Sequence, residues 1–346
     1  MLNALLAILI VPFFPVFMYN SLTGDLSYNQ NLEGQSQVLG EENKKEESFS
    51  QKDSSESFVS KDSISSRENQ SASPIPHRTD DYADIKIWAG SSVVIDVDSG
   101  TILEYDNGRR QTQIASLTKI MTAVLTVENV GDLDESATIT RDALNVDGTT
   151  VGCPTSVFCN SNRMYVGEKI SVRNLLKAML LDSANDAATA LAIHISGTPD
   201  DFVKLMNEKA KSLGLKDSHF CTPSGLEIDG LESECYSSAY DIARIAAYSL
   251  RYNLVWDIMK MEEEQIYSAD GKYMHQLKNT DILLKEMPNC LGGKTGFTPM
   301  AGKSLLTVTV DPTGKHRIIS VILNDPNRWD DMKTLTDWTF DNYRWD

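Results

Sequence analysis

Apolar positions along this chain follow three different rhythms. From about Ile85, "IWAGSSVVIDVDSGTILEYDNG" carries β-branched, partly alternating runs on either side of Asp98–Ser99–Gly100, which predicts a hairpin. Near the other end, "SLLTVTV" and "RIISVIL" flank "DPTGKH" and predict a second hairpin. Between the two hairpins the spacing turns helical, near 117–129, 171–181, 186–196, 200–213 and 237–250, and "RWDDMKTLTDWTFDNY" predicts a closing amphipathic helix. Terminal hairpins with helices between them predict one α+β domain: an antiparallel sheet flanked by helices, with an inserted, mainly helical subdomain.

The first twenty residues follow no such rhythm. "LNALLAILIVPFFPVF" is almost continuously apolar, and no charged side chain precedes Asp25. At about sixteen residues it is a little short for a spanning helix and long for a signal-peptide core. "VFMYNSLTG" offers no small-x-small cleavage site, which favours a retained anchor over a removed signal. Either way the segment predicts export. Residues 21–84 hold fourteen serines, with 13 Asp and Glu against 6 Lys and Arg, and few apolar groups to offset the entropy of ordering. A disordered Ser/Glu-rich linker is expected there, and a folded domain over 85–346.

The 346 residues are 41% hydrophobic and carry a formal charge of −17. Such a core is large enough for a sizeable domain, and such a charge argues against nucleic acid. His77, His194, His219, His275 and His316 are scattered without ligand spacing, so neither a metal nor any other cofactor is expected.

Three short stretches carry candidate chemistry. In "ASLTKIMTA", Ser116 and Lys119 stand three apart and share a face if the segment is helical. Serine is a weak nucleophile that needs a base, and lysine serves only where burial or a neighbouring cation lowers its pKa. Taken alone, the spacing fits a serine N-cap and a surface lysine at least as well. "LLKAMLLDSANDAATALAI" predicts two helices broken at Asp182–Ser183–Ala184–Asn185, with Ser183 and Asn185 at the tip of a hydrophobic support or simply acting as caps. In "CLGGKTGFTPMAGKSLLTVTV", Lys294–Thr295–Gly296 precedes a predicted strand, either as a glycine-rich turn or as the edge on which a peptide pairs.

Together, Ser116-x-x-Lys119, Ser183-x-Asn185 and Lys294-Thr295-Gly296 resemble the serine penicillin-recognising enzymes. The D-alanyl-D-alanine carboxypeptidases, the low-molecular-weight penicillin-binding proteins, resemble the chain more closely. "IASLTKIMTA", "LLKAMLLDSANDAA", "FCTPSGLEIDG", "YSSAYDIARIA" and "GGKTGFTPMAGKSL" carry that likeness over roughly 85–345. The resemblance implies a β-lactamase/transpeptidase-like fold and cleavage of D-Ala-D-Ala in peptidoglycan stem peptides. It assigns Ser116 as nucleophile, Lys119 as base and Ser183 as proton relay. Asn185 would bind the substrate amide, and Lys294 and Thr295 its terminal carboxylate beside Gly296. Backbone N–H groups of Ser116 and Phe297 would form the oxyanion hole; some relatives carry histidine at the position of Phe297. β-Lactam antibiotics are implied as further ligands. No counterpart of the C-terminal β domain and amphipathic anchor of many relatives is expected, and membrane attachment is expected of the N-terminal segment.

Two alternatives are weighed against this reading. A class A-like β-lactamase needs a Glu-x-x-x-Asn loop, and none lies between Asn185 and Lys294; the glutamates of "GLEIDGLESE" and "MEEEQIY" are taken as solvated surface. A non-enzymatic wall-binding protein would not need an intact nucleophile and base. Five cysteines in an exported chain predict pairs plus one free thiol, with Cys153–Cys159 and Cys221–Cys235 bridged and Cys290 free.

Overall fold

The computed structural model describes residues 74–153 and 162–346. The apolar segment 1–20, most of the expected linker and Cys159 lie outside the described residues. In chain order, β1 (His77–Arg78) is followed by the hairpin β2 (Ser91–Asp96) and β3 (Ile102–Asp106). A 3-10 turn over Ala115–Thr118 runs directly into α1 (Lys119–Asn129). Then come β4 (Ser136–Thr138), α2 (Arg141–Leu144), β5 (Lys169–Ser171), α3 (Val172–Leu181), α4 (Asn185–Ser196), α5 (Pro199–Ser212), α6 (Ala239–Ser249) and α7 (Asn253–Met259). After β6 (Glu263–Tyr267), β7 (Met274–Lys278) and α8 (Leu283–Glu286), the chain forms β8 (Cys290–Thr298), β9 (Gly302–Val310) and β10 (Arg317–Leu323). It closes with α9 (Arg328–Asn342) and β11 (Tyr343–Arg344).

Five of these strands make one antiparallel sheet in the order β3-β2-β10-β9-β8. Alternation along the strands divides the core in two. Val93, Leu306, Val308, Ile319 and Val321 face the helical side, where α1, α3, α4 and α6 bury their apolar stripes. Val94, Leu305, Ile318 and Ile322 face Met332 and Leu335 of α9. Because β2 and β10 are covered on both faces, "SSVVID" and "RIISVIL" are buried along almost their whole length, polar residues included. The α+β architecture, both hairpins and the main helices agree with the sequence pattern.

Helix starts follow ordinary capping chemistry where no other demand intervenes. Ser171, Thr198 and Ser238 each accept a hydrogen bond from a backbone N–H in the first turn of α3, α5 and α6. The starts of α1 and α4 have no side-chain cap. Ser116 is therefore not a cap, and neither is Asn185; their side chains are directed elsewhere.

Some features depart from the expectation. The ribbons β4–β5 and β6–β7 were not foreseen, and "MEEEQIY" lies largely in β6, where Ile266 is buried. Of the two alternatives for Lys294–Thr295–Gly296, the turn is not seen: they precede β9, as expected, but themselves lie inside β8, the outer strand beside it. Their glycine neighbours make room for close neighbours instead of turning the chain: a Cβ at Gly293 would come 2.5 Å from Asp281 Oδ2, and one at Gly296 would come 2.9 Å from the Ile114 carbonyl. Residues before Ile85 also join the fold, since β1 pairs with β11 and Tyr82 packs on Trp338 and Tyr343.

The layering predicts unequal costs along the sheet. Ile319→Ala, in a central strand and fully buried, should destabilise by about 2–5 kcal/mol, whereas Ile102→Ala in the outer strand β3 should stay within about 0.5 kcal/mol. Urea unfolding midpoints of the two variants measure the difference.

Candidate active site

The turn that carries Ser116 is held in an uncommon backbone conformation. Ala115 has φ of 49°, in the left-handed region that a non-glycine residue avoids at a cost of about 1–3 kcal/mol. Two glycines clamp it in place. A Cβ on Gly225 would come 2.0 Å from the Ala115 carbonyl oxygen, and Gly296 of β8 lies against Ile114 from the other side. Ser116 thus sits where the sheet edge, α1 and the loop around Gly225 meet.

Lys119 opens α1 beneath it and is fully buried. Its Nζ lies 2.8 Å from Ser116 Oγ, 2.7 Å from Asn185 Oδ1 and 2.8 Å from the Ser224 carbonyl oxygen. The two carbonyl-type oxygens only accept, so they take two N–H donors of the amine. The third direction points at a hydroxyl, which can donate or accept. With Nζ neutral, that direction is its lone pair, aimed at the Ser116 proton. Burial pushes the Lys119 pKa well below the ordinary lysine value and the nearby Lys294 charge pushes the same way, against a smaller opposing pull from Asp186.

The turn between α3 and α4 supplies Ser183 and Asn185. Ser183 is buried with φ of 60°, and Thr149 Oγ1 donates to its carbonyl at 2.8 Å. Its own hydroxyl makes no hydrogen bond among the described residues. Asn185 Oδ1 accepts from Lys119, while Nδ2 donates to the Asp147 carbonyl at 2.7 Å. Asn185 is thus first a clamp on Lys119, with one N–H of its carboxamide unassigned. Asp186, whose pKa burial raises to about 6, accepts from Val151 and Ala187 N–H groups and anchors the turn.

On the β8 side, Lys294 is 1% exposed and, among the described residues, its Nζ donates only to the Thr295 carbonyl, at 3.2 Å. Burial pushes its pKa down to about 7. Thr295 Oγ1 lies 2.7 Å from Thr280 Oγ1. Arg328, at the start of α9, donates to the Gly296 carbonyl at 3.0 Å, which fixes β8 from behind. The Phe297 side chain is 60% exposed. The structure therefore gathers Ser116, Lys119 and Asn185 into one bonded cluster. Lys294 lies within electrostatic reach of Lys119, and Gly296 of β8 packs against the turn that carries Ser116.

Sequence reasoning did not find the Ser224 carbonyl, Thr280, Asp281 or Arg328. A main-chain acceptor has no sequence signature, and the other three are ordinary polar residues until the fold brings them behind β8. Glu227 also differs from the expectation of solvated surface: Thr298 Oγ1 donates to its carboxylate, which ties the loop to the end of β8. That loop is closed by the expected Cys221–Cys235 disulfide, with Cα atoms 5.5 Å apart. Cys153 is also disulfide-bonded, and Cys290 is free and buried. Among the described residues no cluster of His, Cys, Asp or Glu is arranged to hold a metal.

Ser116, its buried lysine partner and Asn185 thus form one hydrogen-bonded cluster beside the outer strand β8. The chain belongs to the D-alanyl-D-alanine carboxypeptidase family, which it matches over residues 77–327. It is 33% identical over 267 residues to D-alanyl-D-alanine carboxypeptidase DacD of Escherichia coli (strain K12), covering 75% of this chain and 64% of that one. It is 31% identical over 255 residues to DacB2 of Mycobacterium tuberculosis, covering 72% and 81%. The chain thus spans less than two thirds of the E. coli relative's length. Among solved structures, D-alanyl-D-alanine carboxypeptidase from M. tuberculosis H37Rv superposes with a TM-score of 0.66 at 27% identity, over 76% of this chain and 96% of that one. A Streptomyces K15 DD-transpeptidase variant, at 24% identity and a TM-score of 0.67 over 74% and 99%, shares the fold.

The state of Lys119 has a consequence for stability. An unfolded lysine holds its proton to about pH 10.4, whereas Lys119 in the fold releases it well below that. Between those values the unfolded chain binds more protons, so the native state gains stability as pH rises. Lys119→Met lacks this slope. Denaturant unfolding at about pH 7 and about pH 10 should show the variant's stability relative to wild type falling as pH rises; a pH-independent difference would contradict it.

Proposed function

We propose that this protein is a serine D-Ala-D-Ala carboxypeptidase that removes the terminal D-alanine of peptidoglycan stem peptides through an acyl-enzyme at Ser116. The observation that carries the reading is the 2.8 Å approach of the fully buried Lys119 Nζ to Ser116 Oγ, with its other two bonds directed to oxygens that only accept. Lys119 takes the hydroxyl proton as Ser116 Oγ attacks the carbonyl between the two D-alanines. Negative charge on that carbonyl oxygen is met by the backbone N–H groups of Ser116 and Phe297. Ser183 passes a proton to the departing amine, and the free N–H of Asn185 meets the substrate amide. Lys294 and Thr295 receive the terminal carboxylate, and the peptide lies along β8, where Gly296 lets it approach. Water then cleaves the ester, with Lys119 again as base.

In the same proposal the protein works outside the cytoplasm. An N-terminal apolar segment (1–20) and the polar tract between it and β1 hold the domain at the membrane. The support for this anchor is sequence alone: a charge-free apolar run followed by a serine-rich polar tract. Those twenty residues lie outside the described ones, and among the described residues no helix is long and apolar enough to cross a membrane.

Benzylpenicillin separates this function from β-lactam hydrolysis. The opened lactam keeps its leaving group tethered, and no Glu-x-x-x-Asn loop activates a second water, so the intact mass should show an adduct that persists for minutes. Ser116→Ala should abolish it, and Lys119→Ala should slow its formation by about 10²–10⁴-fold. A pentapeptide ending in D-Ala-D-Ala should release D-alanine. Rapid release of hydrolysed drug with no adduct, or a folded protein that frees no D-alanine, would contradict the proposal.

A further inference from the structure

The loop between β7 and α8 contains a buried carboxylate that the proposed reaction does not use. Asp281 is 3% exposed. Its Oδ1 accepts from the Leu283 N–H at 2.9 Å, but its Oδ2 is buried without a hydrogen-bond partner among the described residues. That oxygen lies against β8 at Gly293, immediately before Lys294, in the space a Cβ would occupy. The loop is also firmly placed. The Lys278 N–H donates to Asp182 Oδ1 at 2.6 Å, the Thr280 N–H to the Leu181 carbonyl at 3.2 Å, and Asn279 Nδ2 to the Met259 and Met261 carbonyls at 2.9 Å each. Thr280 Oγ1 meets Thr295 Oγ1 on the strand itself.

A buried carboxylate oxygen with no donor is unfavourable unless a cation faces it. Two cations do so electrostatically, Lys294 on β8 and Arg328 on α9. Of the two, Lys294 has the weaker support of its own, a single 3.2 Å bond to a neighbouring carbonyl. We propose that Asp281 is a positioning residue for substrate binding: it supplies the fixed negative charge that holds Lys294 as an ammonium behind β8. This rests on the reading that Lys294 receives the substrate's carboxylate. The groups facing Lys294 act in both directions. Burial pulls its pKa down to about 7, Asp281 opposes that, Arg328 adds to it, and Asp182 at the end of α3 opposes it. Lys119 on α1 is the remaining neighbouring cation. Lys294 thus stands near its midpoint at neutral pH, where the loss of one counter-charge decides its state.

Asp281→Asn keeps the size and the acceptor for Leu283 while removing the charge. The test is the rate of acylation by benzylpenicillin, which carries a carboxylate, from about pH 5.5 to about pH 9. The alkaline fall in rate is expected to move at least about one pH unit toward acid in the variant. At slightly alkaline pH, KM for a D-Ala-D-Ala pentapeptide should rise several-fold with kcat little changed. Arginine stays charged throughout this range. Adding Asp281→Asn to Lys294→Arg should therefore leave the pH profile of that variant unmoved. An alkaline limb that stays in place, or a loss equal at every pH as from a merely structural role, would overturn the inference alone. A shift persisting in the Lys294→Arg background would overturn it too. Failure of the wild type to be acylated at all would overturn the functional reading along with it.

Discussion

Three oxygens around one buried amine hold this site together. Lys119 Nζ bonds Ser116 from its own turn, Asn185 from the α3–α4 turn and Ser224 from the loop closed by the Cys221–Cys235 disulfide. Each partner comes from a different part of the chain, so the amine acts as a pin as well as a base. Thr122 strengthens the same arrangement from the next turn of α1 by donating to the Pro223 carbonyl. Burying an amine is unfavourable while it carries charge. The fold meets that demand by giving Nζ two neutral acceptors and directing it at a hydroxyl, with no carboxylate bonded to it. A carboxylate in place of Asn185 would hold Lys119 as an ammonium and remove its use as a base.

The opposite wall follows a different electrostatic logic. Lys294 is as buried as Lys119, yet its surroundings include Asp281 and Asp182, both raised to about 6 by burial and both pulling toward a charged lysine. Burial lowers the pKa of both lysines, but only Lys294 has two carboxylates, Asp281 and Asp182, pulling the other way. The loop from Lys278 to Asp281 links the walls mechanically, since it bonds both Asp182, next to Ser183, and Thr295. Strain at Ala115 and Ser183, the two non-glycine residues with left-handed φ nearest the chemistry, fits a site fixed in advance by its scaffold.

What the sequence revealed depended on how local each cause is. The hairpin at Asp98–Gly100 and the helices α1, α3, α4, α5 and α6 arise from short-range spacing and were legible. The three motifs were each visible as contiguous stretches, but their grouping came from a family resemblance; of their residues the structure bonds Ser116, Lys119 and Asn185 together. The extent of β8 was not legible, because Gly292, Gly293 and Gly296 read as a turn when their role is to admit neighbours distant in sequence. The β6–β7 ribbon was hidden by its glutamates: Glu263 is exposed, but Glu264 is half-buried on the side of Ile266 and Leu277 and pairs with Lys177. Asp281, Arg328 and the Ser224 carbonyl act only through tertiary placement, so no pattern in the chain marks them.

The central claim is that Lys119, held by burial well below the ordinary lysine pKa, is the base that faces Ser116. The most direct measurement is an NMR titration of protein labelled with carbon-13 at lysine Cε, with Lys119 assigned by the resonance that disappears in Lys119→Met. That resonance should show the shift of a neutral amine at neutral pH and titrate far below the ordinary value of about 10.4. If it instead titrates with the exposed lysines, near that ordinary value, the base is misassigned and the account fails.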